Sequence, residues 1–223
     1  MKLTGFFRRG AACLCTAAIL VAGGLSVFAL SPAEVSSPAE VAVTNAVSES
    51  QLRSTLSGFS VKYDSDAGGW QIDSPYEAAS DDKLSCGVYP YLFVTNDDPT
   101  VYISLGMTCF NNKKLDMKLV RVETDKDYYD FTCDEEFGGF YSEDAKIWFD
   151  FEIFDMDDSV SWLDEWLASK TLKATFVGRD GTQKTYTFTK DNLQAIRDVL
   201  NLYNMLVGSD VSTVKVVLRD LAK

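Results

Sequence analysis

Between Leu52 and Phe154 apolar and polar residues alternate with a period of two, and after Phe154 the period lengthens to that of a helix. The runs GFSVKYD, GWQID, CGVYPYLFV, TVYISLGMTCF, LDMKLVRVE, YYDFTC and AKIWFDFEIF are rich in β-branched and aromatic residues, and turn clusters such as NDDPT, NNKK and TDKD part them. Such short gaps predict an antiparallel meander. Pro90 has no N–H for a ladder and predicts an edge strand or a bulge in its run. In IWFDFEIF, Ile147, Phe149, Phe151 and Ile153 share one face, while Trp148, Asp150 and Glu152 share the other. This predicts a half-buried strand whose carboxylates face water.

DDSVSWLDEWLASK reads as a short helix that Asp157, Asp158 or Ser159 can cap, with Trp162, Leu163, Trp166 and Leu167 on one side and Lys170 at its end. A hairpin follows, with Leu172, Ala174 and Phe176 inward, a turn at Asp180-Gly181, and Tyr186 and Phe188 on the return. A second helix is predicted through Leu193, Ile196, Leu200 and Tyr203, capped by Thr189 and stopped at Gly208. The predicted fold class is α+β: a mostly antiparallel, sandwich-like meander over 52–155, followed by a helix–hairpin–helix lobe over 156–223 packed on it.

Ahead of these lobes, Lys2, Arg8 and Arg9 precede an apolar run from Ala11 to Phe28, with Val27 and Ala29 at the spacing of a signal-peptidase site. Residues 1–29 are therefore expected to be a secretory signal peptide, an uncleaved anchor being the alternative. Residues 30–51 contain SPAEV twice, at Ser31 to Val35 and Ser37 to Val41, and no aromatic residue. Such a composition predicts a disordered linker.

Export permits disulfides, and three cysteines follow the leader: Cys86, Cys109 and Cys133. Cys86, Val88, Leu92 and Val94 are in phase on one strand, as are Val101, Ile103, Leu105, Met107 and Cys109 on the next. Pairing Val94 with Val101 across the turn sets Cys86 opposite Cys109, while a two-residue slip keeps the same faces. A Cys86–Cys109 bridge and a reduced, core-facing Cys133 are predicted. In a meander Cys133 would lie two strands from Cys109, beyond disulfide reach.

The chain carries 21 Lys and Arg against 33 Asp and Glu and has no histidine. Three of the basic residues belong to the leader, which leaves a net charge of −15. Nucleic acid is disfavoured, no membrane insertion is expected after cleavage, and a protein or glycan partner should be neutral or cationic. Without histidine, Ser-His-Asp and Cys-His catalysis and H-E-x-x-H zinc sites are excluded. Ser80-Asp81-Asp82-Lys83 fits S-x-x-K but lacks its companion motifs, and Gly68-Gly69 and Gly138-Gly139 suit turns or bulges rather than phosphate cradles. Asp155, Asp157 and Ser159 begin like a calcium loop, but Val160 stands where the turn glycine belongs and Trp166 where the bidentate Glu belongs. No metal or cofactor is expected, and no catalytic residue can be named.

The stretch SVSWLDEWLASKTLKATFVGRDGTQKTYTFTKDNLQAIRDVLNLY, Ser159 to Tyr203, resembles the closing module of small exported bacterial β-rich proteins of the invasion-associated locus B type. That family's paired cysteines just before the module are not matched here. The resemblance implies an envelope or extracellular binding role without known catalysis, and it carries over no functional residue. The expected function is an exported, acidic, non-catalytic binding module. Two rivals remain: a histidine-free glycan hydrolase using paired carboxylates, and a structural or chaperone-like envelope component using exposed sheet edges. Trp148, Trp162 and Trp166 are candidates for a sugar-stacking platform.

Overall fold

The computed structural model describes residues 47–75, 85–97, 99–133 and 139–222. The leader, the spacer as far as residue 46 and the S-x-x-K stretch lie outside them. In chain order the described elements are α1 (Glu49–Leu56), β1 (Ser60–Asp64), β2 (Gly69–Asp73), β3 (Cys86–Thr95), β4 (Val101–Asn111), β5 (Met117–Glu123), β6 (Tyr128–Thr132), β7 (Phe140–Ser142) and β8 (Ile147–Asp155). A single 3-10 turn, Asp157–Ser159, leads to α2 (Val160–Ala168), β9 (Lys173–Gly178), β10 (Gln183–Thr187), α3 (Lys190–Val207) and α4 (Val211–Leu221). The fold is α+β and its strands pair antiparallel.

The strands divide between a six-stranded sheet, ordered β1-β2-β3-β4-β8-β7, and a four-stranded sheet, ordered β10-β9-β5-β6. Only β1 to β4 run as the expected meander. The β5–β6 pair leaves for the second sheet, and β8 returns to take its place beside β4. Since β9 pairs with β5, the boundary expected at 155/156 runs through shared hydrogen bonds: Val120 faces Phe176 and Val122 faces Ala174.

One core joins both sheets and the helices. Trp70, Ile72, Val88, Leu92, Ile103, Leu105 and Met107 meet Val120, Val122, Phe131 and Phe176, together with Leu163, Trp166, Ile196, Val199 and Val217. Two helices escape the sequence reading. α1 begins in the last three residues expected to belong to the spacer and runs into the lobe expected to be β-rich, because Ser48 and Gln51 cap each other reciprocally and Leu52 and Leu56, four apart, enter the core. α4 starts where the Asp210 side chain accepts from Thr213 N–H, and it buries Val214, Val217 and Leu218.

Local corrections have physical causes. Pro90 lies in an interior strand with unbroken register to β4, but the pairing of β2 ends opposite Tyr91, one residue before a missing N–H would matter. At α2, Ser159 holds the N-cap position without a side-chain bond, because neighbouring acids serve the 3-10 turn instead: Asp157 N–H donates to Asp155 Oδ1 at 3.0 Å, and Ile103 N–H donates to Asp157 Oδ1 at 3.2 Å. Thr189 caps α3 as expected, and Gly181 takes φ 86° in the β9–β10 turn.

Candidate functional site

β8 decides what the two faces of the larger sheet are for. Its alternation groups the residues as expected, yet with the opposite sense: Asp150 is 1 % exposed and Glu152 7 %, while Ile153 on the other face is 38 % exposed. Register explains the inversion. Asp150 pairs with Cys109 and Glu152 with Met107, both of which point into the core, so the acids must point there as well. Asp150 is used structurally. Its Oδ2 accepts from Leu115 N–H at 2.9 Å and its Oδ1 from Asp116 N–H at 3.0 Å, fixing the crossing from β4 to β5, where Asp116 has φ 53°. Burial raises the Asp150 pKa, and the two N–H bonds pull it part of the way back.

Phe149 and Phe151 of β8 are consequently turned away from the core, whereas Phe154, in phase with Glu152, packs on it, and the two outward rings are not alone. Cross-strand registers put Phe140, Phe149 and Phe110 in one outward row, and Ile153, Gly106 and Tyr89 in another. Further along lie the rows Asp155, Ser104, Tyr91 and Asp73, then Tyr102, Phe93, Gln71 and Lys62. The rings of this face are half-buried, and none belongs to the central core. They form their own cluster: Phe110 to Phe149 is 4.8 Å between centroids, Phe140 to Phe149 5.0 Å, and Phe149 stacks on Phe151 at 5.5 Å.

Two glycines set the attitude of two rings. A Cβ on Gly106 would lie 2.4 Å from Cζ of Tyr89, and one on Gly69 would lie 2.5 Å from Cζ of Phe93, so each ring lies along bare backbone of the adjacent strand. A ring in that attitude turns a π face away from the sheet. Tyr91 is 6.4 Å from Tyr89 and hydrogen-bonds Ser104. Burial pushes its phenol up to about 12 and raises that of Tyr89 as well, so both stay neutral donors at ordinary pH.

The smaller sheet shows what a solvated face looks like in this chain. Its outward positions are mostly polar, among them Lys118, Arg121, Asp130, Thr132, Lys173, Gln183 and Thr185, with Leu119, Val177 and Tyr128 as the exceptions. Arg121 donates twice to Asp130, at 2.7 Å each, with its guanidinium 4.4 Å above the Tyr128 ring.

The other residues singled out in the sequence are dispersed. Cys86 and Cys109 are opposite one another and bridged, with Val94 opposite Val101, while Cys133 is a buried free thiol at the end of β6, in the other sheet. Burial, reinforced by the Glu152 charge, pushes its pKa up to about 12, the reverse of what a nucleophile requires. Trp166 is fully buried and Trp162 packs on Tyr129 and Phe131, so these two cannot form a platform with Trp148, which lies beside Tyr141. Among the described residues no group of three or more Cys, Asp or Glu stands together to hold a metal. The outward aromatic face was missed because its rings are interleaved, residue by residue, with core positions. Its signal was Tyr89, Tyr91 and Phe93 in counter-phase to Val88, Leu92 and Val94, with glycines inside neighbouring strands.

No family model, curated protein or solved structure matches this chain.

Proposed function

We propose that this protein is an exported, non-catalytic binding module that meets its partner with the outward face of the six-stranded sheet. The observation that carries the reading is the contrast between two outward faces of one molecule. One is mostly charged and hydroxyl side chains, with Leu119, Val177 and the exposed Tyr128 among them, while the other carries the half-buried rings of Tyr89, Tyr91, Phe93, Tyr102, Phe110, Phe149 and Phe151. Antiparallel sheets ordinarily turn a polar face to water, and a broad aromatic one marks a contact surface. Support for export comes from the N-terminal pattern and from the bridged cysteines, and none of the described helices is long and apolar enough to cross a membrane.

Carboxylate placement favours binding over hydrolysis. Among the described residues Asp150 and Glu152 are buried, Asp64 and Asp157 accept backbone N–H groups in turns, and Asp73 and Asp155 on the aromatic face stand at opposite ends of a row across four strands. Three strand spacings amount to about 14 Å. Paired-carboxylate glycosidases hold their acids about 5–9.5 Å apart.

A photoreactive benzoylphenylalanine placed at Ile153, with Thr185 on the smaller sheet as control, tests the reading in the producing cell. One stoichiometric adduct from position 153 and none from 185 is expected. Equal labelling from both sites, or none from 153, would overturn it.

A further inference from the structure

We propose that the outward face of the six-stranded sheet recognises an extended, arginine-bearing segment of a partner protein; this rests on that face being the binding surface. The first argument is the row Asp73, Tyr91, Ser104, Asp155, in which the Tyr91 ring stands one strand from the Asp73 carboxylate and two strands from that of Asp155. Tyr89, 6.4 Å from Tyr91, lies flat over Gly106 beside that row. A guanidinium is planar, stacks on such a π face, and carries an N–H fork that reaches a carboxylate about one strand spacing, ~4.8 Å, away.

The second argument is that this chain already sets a guanidinium between a tyrosine ring and a carboxylate, although there the two are neighbours along one strand and on the larger sheet they are neighbours across two. On the smaller sheet Tyr128 and Asp130, two residues apart on β6, hold the guanidinium of Arg121 between ring and carboxylate, and the cation comes from the adjacent strand β5. The larger sheet supplies the ring and the carboxylates but no arginine among its described strands. Lys62 is the cation nearest Asp73, at 3.7 Å, an exposed pair that an incoming arginine can displace. Asp73 also accepts from Gln71 Nε2 at 2.7 Å, which fixes its position.

The third argument is charge. The chain carries −12 in total, so a basic segment is drawn to it from a distance while anionic glycans and nucleic acids are repelled.

The test is calorimetric titration of the full chain with three probes: a hexapeptide of alternating Arg and Ser, its Lys counterpart, and neutral cellohexaose. The arginine peptide should bind, with the lysine peptide about fivefold weaker, because only the planar fork stacks and pairs together. Asp73→Asn with Asp155→Asn should weaken the arginine peptide about tenfold, whereas Asp164→Asn with Asp191→Asn, the same charge removed from the helices, should weaken it less than about twofold. Gly106→Ala, which displaces the Tyr89 ring but keeps the tyrosine, should erase the preference for arginine. Unchanged thermal midpoints would confirm that the variants fold. Equal losses in the two double variants would mean bulk attraction only and would overturn the proposal. Cellohexaose binding that Gly106→Ala removes, without arginine binding, would overturn it and leave the face as the binding surface. Silence from all three probes while Ile153 still crosslinks has the same meaning, and silence with no crosslink overturns both.

Discussion

Asp150→Ala tests the orientation of β8 most directly. The carboxylate is 1 % exposed and accepts two backbone N–H groups, from Leu115 at 2.9 Å and Asp116 at 3.0 Å, with Gly139 so close that a Cβ there would lie 2.7 Å from its Oδ1. Truncation strands both donors where water cannot readily enter, at about 1–3 kcal/mol each. Removing a buried charge returns part of that, so the expected loss is about 2–4 kcal/mol. Asp150→Asn keeps an acceptor for one donor and should lose about half as much. Urea unfolding of the oxidised protein, followed by tryptophan fluorescence, supplies the numbers.

The pH dependence has a definite sign. Burial raises the folded pKa above the ordinary value of 3.8, so the folded chain holds this proton to higher pH than the unfolded chain does. The contribution to stability is full below 3.8 and is lost as pH rises through the raised value, and Asp150→Asn should delete that slope. A free energy for Asp150→Ala within about 0.5 kcal/mol of the parent would show the carboxylate in water, as simple alternation expects, and would refute the orientation.

For the chain starting at Leu30, one thiol, Cys133, should react in denaturant without reductant; three would show the bridge absent. Replacing Cys86 and Cys109 by Ala opens a loop with a sequence separation of 23 and should cost about 3 kcal/mol in unfolding measurements. In the native protein Cys133, its pKa pushed up to about 12, should alkylate with iodoacetamide at pH 8 far more slowly than in the denatured chain, and equal rates would contradict its burial. Gly178→Ala places a Cβ 2.3 Å from the Leu115 carbonyl oxygen and should cost about 1–3 kcal/mol, read from the urea midpoint.

The bridge was legible because parity narrows the pairing to a few registers, one of which makes it. Two long strands joined by a short turn, with apolar phases that must match, leave few registers, and the one with Val94 opposite Val101 is found. Parity groups the residues of β8 equally well but cannot say which group faces in when both contain apolar side chains. That choice is made by a neighbour distant in sequence, β4, whose core face draws Asp150 and Glu152 inward. Exchange of strands between sheets was equally hidden, since nothing local to β5 marks β9 rather than β4 as its partner. The two missed helices are short, and their markers, Ser48 with Gln51 and Asp210 with Thr213, lie in stretches whose composition suggests linker or tail.

The four-stranded sheet is stitched from two stretches of chain, and this makes the last third of the protein indispensable to the middle. A polypeptide that has emerged only to Asp155 holds a β5–β6 ribbon with one flank bare and a buried-to-be apolar side, a sticky species during the interval before Lys173–Gly178 arrives. Gene fragments cut at that junction should therefore yield aggregates rather than two smaller working pieces, and shuffling the halves among chains would require exchanging both at once.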